Sequence, residues 1–318
     1  MASDKIAMGS VAAIKRGLRL MGNHFEITVV SDDEAWSQSR IDEAVAEIQR
    51  IEALLTTFKD DSQTNQVNQS AGIAPVKVDL EVFELIERSI RISHITQGAF
   101  DITYGSIDKS LWNFDTSMKQ LPDAEVARAS VRLINYQNVI LDRPNQTVFL
   151  KEPGMRIGFG GIGKGYAADQ AKLLLQKAGV KSGIVNAAGD LVTWGTQPHG
   201  KPWTVAIADP NRQVPYFSKL NISNTAIATS GNYEKFAVID GKRYSHTIDP
   251  KTGLPVTGIK SVSIICPSAE LADALATPVT VMGVKVGLGL INQLKGVACL
   301  VIDDQDRLYT SKNINLHH

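Results

Sequence analysis

The chain is short of several things at once, and each shortage removes a class of protein. Among 318 residues there are two cysteines, Cys266 and Cys299. Two cannot build a disulfide framework or a four-cysteine zinc site. Both stand in apolar runs (SIIC and VACLVI), where a free cysteine behaves as a small buried hydrophobe. Charge of one sign is missing too, since 33 basic residues balance 33 acidic ones. No net positive field exists to hold nucleic acid or an anionic membrane, so any anion must be bound by a local site. No stretch reaches the ~18 uncharged apolar residues of a membrane span. No repeat, low-complexity tract or Pro/Gly/Ser linker interrupts the chain. With 43% apolar and 21% charged residues, disordered, collagen-like and coiled-coil chains are excluded. A folded chain of this length buries roughly three quarters of its extended surface.

At the N-terminus, Lys5 precedes an uncharged run from Ile6 to Ile14, long enough for a signal-peptide core. It contains Gly9 and Ser10 and runs into Lys15, Arg16 and Arg19 instead of a small-residue cleavage site. The sequence as it stands reads as cytoplasmic, with a trimmed secretory form as the alternative. Residues 1–18 are expected to be an N-terminal extension, 19–312 a single domain and 313–318 a tail.

Patterning then sets the elements. Phe25 to Val30 reads as a strand broken by Asp32 and Asp33. From Ser37 to Phe58, the apolar positions Ile41, Val45, Ile48, Leu55 and Phe58 predict an amphipathic helix. A polar loop (KDDSQTNQVNQSAG) follows, then a helix from near Asp79 to Gly98. Leu133 to Leu150 predicts two strands joined through Arg143-Pro144-Asn145, and Lys164 to Ala178 a helix stopped by Gly179. Strands are predicted at Gly183–Val192, Thr204–Ala208 and Asn221–Thr229, and a hairpin over Lys235–Ile248 turning at Asp240-Gly241. A strand at Ser261–Cys266 leads to a helix at Ala269–Met282, and helix, strand, turn and strand close the chain. Helices and strands mix without a βαβ rhythm, so the expected class is α+β, with largely antiparallel sheets and packed helices.

Chemistry concentrates in a few segments. Gly158 to Asp169 reads GFGGIGKGYAAD, glycines with one lysine opening straight into a helix. Such a loop brings backbone N–H groups up to an anion, the helix N-terminus adds a favourable dipole, and Lys164 adds a point charge. The dinucleotide fingerprint fails here because the preceding strand would be only Met155–Ile157. A Walker A loop fails because Gly165 follows the lysine where Ser or Thr is needed. A glycine turn without a ligand is the alternative. In ADALAT, Asp273 and Thr277 lie one helical turn apart on one face. A carboxylate and a hydroxyl there suit a hard cation such as magnesium, completed by waters and phosphates. A helix-dipole Asp with a back-bonded Thr is the competing reading. His246, in Tyr244-Ser245-His246-Thr247-Ile248-Asp249-Pro250 after Thr229-Ser230-Gly231-Asn232-Tyr233, is placed to act as a general base or to serve structure alone. Ala99-Phe100-Asp101, with Trp112 and Phe114 nearby, offers either core or a face for a flat ring.

Together these segments resemble the ApbE-type flavin transferases, which move FMN from FAD to a protein threonine. GAFDIT, GGIGKGYAAD, TSGNYE, YSHTIDPKTGLP and ADALAT occur in the family's order, and the similarity runs from Leu20-Met21-Gly22 to about Asp304. The resemblance implies an α+β unit with FAD, the substrate, in a cleft between two parts. It implies that Met21, Phe58, Ala99, Phe100, Asp101, Gly160, Gly161, Gly163, Lys164, Ser230, His246 and Ile248 bind the cofactor. It implies Mg2+ held by the Gly161 carbonyl, Asp273 and Thr277, and His246, Lys164 and Asp273 as the catalytic set. The family often has Tyr where Phe58 stands and Asp where Gly158 stands, and it is richer in glycine around Asn186-Ala187-Ala188-Gly189-Asp190. The implied partner is an acceptor flavoprotein carrying Asp-x-x-Ser/Thr-Gly/Ser-Ala/Ser-Thr. The nearest match here, Asp249 to Pro255, lacks the final threonine, so the chain is not expected to modify itself. A FAD pyrophosphatase, with water in place of threonine, and a non-catalytic FAD-binding protein are the other readings.

Overall fold

Alternation of apolar and polar side chains builds one large sheet, and the helices bury their apolar stripes against it. The computed structural model describes residues 10–108, 111, 120–207, 218–231, 236–239 and 242–314. Trp112 to Phe114, Asn232-Tyr233, the Asp240-Gly241 turn and the start of the uncharged N-terminal run lie outside them. In chain order the elements are β1 (Ala12–Leu20), β2 (Asn23–Ser31), α1 (Glu34–Leu55), α2 (Gln63–Gln69), β3 (Val76–Lys77) and α3 (Leu80–Ile95). Next come α4 (Ala124–Ser130), β4 (Val139–Asp142), β5 (Thr147–Leu150), α5 (Gly163–Lys177), β6 (Gly183–Ala187) and β7 (Asp190–Trp194). Then follow β8 (Trp203–Ile207), β9 (Ser218–Ile222), β10 (Ala226–Gly231), β11 (Phe236–Ile239) and β12 (Lys242–Ser245). The chain closes with β13 (Ile259–Cys266), α6 (Ala269–Ile291), β14 (Ala298–Asp303) and β15 (Leu308–Thr310).

The main sheet has eight strands in the order β1-β2-β6-β7-β10-β13-β14-β15, every pair antiparallel. One face carries Phe25, Ile27 and Val29 of β2, Val185 of β6, Val192 of β7, Ala228 of β10 and Val262 and Ile264 of β13, all fully buried. The period of two puts Val30, Ile184, Leu191 and Ile265 on the other face, which packs on Trp203 and Ile222 of the β8–β9 ribbon. Against the first face lie α1, buried through Ile41, Ala44, Ile48, Ile51 and Leu55, and α5, through Ala167, Ala168, Ala171 and Leu175. The expected α+β class with antiparallel sheets is what forms.

Several local expectations are corrected. Ala12 to Leu20 pairs with Asn23 to Ser31 along its whole length, so residues 12–18 are an edge strand of the main sheet and not an extension. The α1 helix starts three residues before Ser37, where the Asp33 side chain accepts the Trp36 N–H at 2.9 Å. It ends at Leu55, so Phe58 is not on the helix. The polar stretch after it contains α2, capped by Ser62. Gly183 to Val192 is a hairpin with a two-residue turn, and Asn221 to Thr229 is split between β9 and β10 by a turn with Asn224 at φ 51°. The α4 helix was not foreseen. Among the described helices only α6 has the length and apolarity of a membrane span. It is broken at Gly283 (φ 79°), and its first segment buries Ala272, Ala274, Leu275, Ala276 and Val279.

Candidate active site: an ion cluster where two helices begin

The glycine loop leads into α5 with Ile162 at the cap position, whose own side chain makes no capping bond. The anion nearest that helix start is a carboxylate of the protein itself. Asp273, from the second turn of α6, accepts the Gly165 N–H at 3.1 Å. The reverse also holds: Asp169 of α5 accepts from Ala269 N (3.0 Å), Glu270 N (3.0 Å) and Ser268 Oγ (2.8 Å) at the start of α6. Each helix thus lends a carboxylate to the other's positive end. The approach is close because residue 165 is glycine: a Cβ there would lie 2.1 Å from the Ala269 carbonyl oxygen and 2.9 Å from Asp273 Cβ.

Lys164 lies in this seam. Its Nζ is 3.1 and 3.2 Å from the two Asp273 oxygens and 2.9 Å from Asp190 Oδ2. Asp190 and Asp273 are 6% and 7% exposed, so one ammonium stands between two buried carboxylates. Burial alone would lower the Lys164 pKa, but the Asp273 and Asp190 charges outweigh it and hold the ammonium above the ordinary lysine range. Burial, and then the Asp273 charge, push Asp190 above the usual carboxylate range against the opposing pull of Lys164 and the Thr229 N–H. Asp190 begins β7, opposite Ala187, after a two-residue turn whose Ala188 and Gly189 both have positive φ (57° and 99°).

The remaining pieces flank this cluster. The Phe100 ring is buried against the glycine loop, 3.5 Å from where a Cβ on Gly161 would be. Met21, with φ 50° and its N–H donated to Glu52 Oε2 at 2.9 Å, brings its methyl to 3.7 Å of the same point on Gly163. The Thr57 methyl is 4.0 Å from where a Cβ on Gly158 would be, so the loop bearing Phe58 adjoins the glycine loop. Phe58 itself is 96% exposed, an aromatic face held out to solvent.

The chain's placement among known proteins now rests on more than its motifs. The ApbE family profile matches residues 21–301. The chain belongs to the ApbE family. A FAD:protein FMN transferase of Klebsiella pneumoniae (strain 342) is 32% identical over 307 residues, 95% of this chain and 87% of that one. The FAD:protein FMN transferase of Treponema pallidum is 32% identical over 290 residues, covering 86% and 80% of the two chains. The crystal structure of the ApbE protein of Thermotoga maritima matches with a TM-score of 0.82 at 28% identity, over 94% of this chain and 97% of that one. The flavin transferase ApbE of Vibrio cholerae matches with 0.81 at 27% identity, over 94% and 98%.

Within this ApbE fold, the residues singled out from the sequence are not all brought to one point. Lys164 and Asp273 touch, with Gly160, Gly161 and Gly163 in the loop before them. Thr277 is one turn beyond Asp273, partly buried. Ser230 is half-buried on β10, opposite Val262. Asp101 turns its carboxylate to nearby donors, where Oδ1 accepts from Thr103 N and Oγ1 (2.8 and 2.6 Å) and Oδ2 from Tyr136 N (3.0 Å) in the segment before β4. Burial nonetheless raises its pKa. Asp101 also lines an open cavity of about 340 Å3 with His94, Tyr136, Pro250 and Lys251. None of Lys164, Asp190 and Asp273 lines that cavity. His246 is exposed, one residue past β12. Ile248 is buried with Ile107 and Val131, and its backbone hydrogen-bonds the Tyr104 hydroxyl.

Three contributors were missed in the sequence. Asp190 is in a segment noted only for its missing glycines, and Asp169 closes the glycine segment without an assigned task. The α2 helix carries Asn65, whose Nδ2 donates to Thr57 O (3.0 Å) and Lys59 O (2.9 Å) around Phe58. Its Asn68 brackets Ile157, the residue just before the glycine segment, through both N (2.7 Å) and O (3.1 Å). An inward-facing Asn has no apolar periodicity to announce it, although Ser62 followed by polar residues is a cap signal.

Proposed function

We propose that this protein transfers the FMN moiety of FAD to a threonine hydroxyl of an acceptor flavoprotein, with Mg2+ and with release of AMP. The observation that carries the reading is the Lys164 ammonium, fixed between buried carboxylates at the end of a glycine loop. That combination places backbone amides and an ammonium donor for a diphosphate beside hard oxygen donors for a cation. The names of the relatives support the same reaction class. Among the described residues no group of three or more His, Cys, Asp or Glu forms a protein-only cage. One carboxylate, the Thr277 hydroxyl and the Gly161 carbonyl fit magnesium, a hard ion that keeps waters and takes substrate phosphate oxygens. Bound through these three, magnesium would neutralise charge on the phosphoryl oxygens.

The chain's own residues have separable tasks in this reading. The Gly158–Gly163 amides and Lys164 orient the diphosphate so that the incoming oxygen and the leaving AMP oxygen are in line. His246 takes the proton of the threonine hydroxyl as its oxygen bonds the FMN phosphorus and the P–O bond to AMP breaks. Phe58 offers a stacking face without the hydroxyl of the tyrosine often found there. No nucleophile of the protein is needed.

The test is mass spectrometry of an acceptor peptide with the Asp-x-x-Ser/Thr-Gly/Ser-Ala/Ser-Thr motif, incubated with the protein, FAD and Mg2+. An added FMN on the final threonine, lost with EDTA and with Asp273→Asn, is expected. FMN and AMP in solution over an unmodified peptide would assign a FAD pyrophosphatase instead.

A further inference from the structure

We propose that Asp190 is a positioning residue, a standing counter-ion fixed to the sheet that keeps Lys164 in place when Asp273 engages a cation. The ligand side of this rests on the flavin-transfer reading above, whereas the ion cluster is a property of the chain alone. The argument starts from charge. One ammonium lies 2.9 Å from Asp190 and 3.1 Å from Asp273, so the buried cluster carries a formal charge of −1. Two carboxylates this close to each other in low dielectric repel, and the surplus favours a further cation.

The two carboxylates are not equivalent. Asp273 is on α6 in line with Thr277, and it takes the Gly165 N–H. Asp190 is on β7, its backbone paired across the sheet with Ala187 and its carboxylate tied to the Thr229 N–H of β10. With Asp273 as its sole partner, Lys164 would compete with any cation for the same oxygens, and one of the two would be left buried and unpaired. With Asp190 present, Lys164 keeps a partner while Asp273 is engaged. The ammonium then stays at the start of α5, where the glycine loop would present a diphosphate.

The test combines FAD titrations at varied Mg2+ with urea unfolding of the ligand-free, full-length protein. Asp190→Asn keeps the shape and removes the charge, so Lys164 turns wholly to Asp273. FAD affinity is expected to fall about tenfold or more, and the Mg2+ concentration for half-maximal FAD binding to rise, as linkage requires. Asp190→Glu, which keeps the charge, should recover much of both. In the Lys164→Met background, Asp190→Asn should shift both curves far less than in the parental protein, leaving only the loss of its charge near Asp273. There it should also raise resistance to urea, because it removes repulsion between two carboxylates that have lost their cation. A coupling of about tenfold in the unfolding constant between positions 164 and 190 is expected for groups in contact.

A parental Mg2+ midpoint in Asp190→Asn, or the same loss with and without Lys164, would overturn the proposal. So would additive unfolding energies. If Asp190→Asn does not fold, the double variant decides: folding of Lys164→Met/Asp190→Asn supports the idea, and its failure to fold overturns it. Failure of the flavin-transfer reading would look different. The parental protein would neither bind FAD nor modify an acceptor, and the urea comparison would still decide the role of Asp190.

Discussion

The α5–α6 seam and the segment around His246 carry the two halves of the proposed chemistry, and they are held by opposite means. In the seam, helix starts are capped reciprocally by Asp169 and Asp273 and pressed together through Gly165, and the charged groups are buried on rigid elements of the main core. Beyond β12, His246 is exposed in a bend. The chain around it is held by backbone ties, Ser245 N to Val256 O (3.0 Å), Val256 N to Thr247 O (2.9 Å) and Asp249 N to Leu254 O (2.9 Å). Two residues on, Ile248 is buried in a small cluster with Ile107 and Val131. The contrast teaches a division of labour. Groups that meet fixed phosphate charge gain from preorganisation, whereas a group that meets an incoming protein chain works from an accessible edge with few buried contacts.

The largest expected effect breaks the seam. Gly165→Ala places a methyl against the Ala269 carbonyl, so α5 and α6 must part and Lys164 must leave Asp273. Overpacking of this kind costs about 1–3 kcal/mol or more, and misplacement near 1 Å lowers rates about 10²-fold. Urea unfolding together with the peptide-flavinylation rate measures both, and unchanged values would show that the seam tolerates a wider spacing. The second prediction concerns the other region. His246→Asn should slow single-turnover transfer by about 10²–10⁴-fold while the protein still binds FAD and keeps its urea midpoint. Transfer at the parental rate would reduce the segment to a structural role and collapse the comparison.

The smallest effect sharpens it. Ala188 occupies a left-handed position (φ 57°) in the turn before Asp190, where an L-side chain costs roughly 1–2 kcal/mol. Gly at that position relieves the strain but enlarges the freedom of the unfolded chain, so Ala188→Gly should stabilise by about 0.5–1 kcal/mol. Because the sheet and not the strain fixes Asp190, the transfer rate should not change. A faster or slower enzyme with the same stability would mean that the turn itself tunes the site.

Much of this protein was already determined by its sequence. The three-and-four spacing of Ile41, Ile48 and Leu55, the alternation of Phe25, Ile27 and Val29, and the glycine at 179 each specify an element through contacts within a few residues of chain. The glycine loop opening at Lys164, and Asp273 one turn from Thr277, were legible for the same reason: their signals are local. Tertiary structure alone decided what meets what. Lys164 is 26 residues from Asp190 and 109 from Asp273, and no periodicity says that one ammonium will be shared by both. The polar α2 helix was unreadable because its asparagines face inward to backbone groups up to 89 residues away. Residues 12–18 read as an extension because Arg16 breaks the apolar run of Ile14 and Leu18, and of this edge strand only Leu20 is buried. Local patterning fixes elements because short-range hydrogen bonding and burial are periodic. Charge pairing and caps between elements depend on how the elements pack, and packing is settled only when the whole core closes.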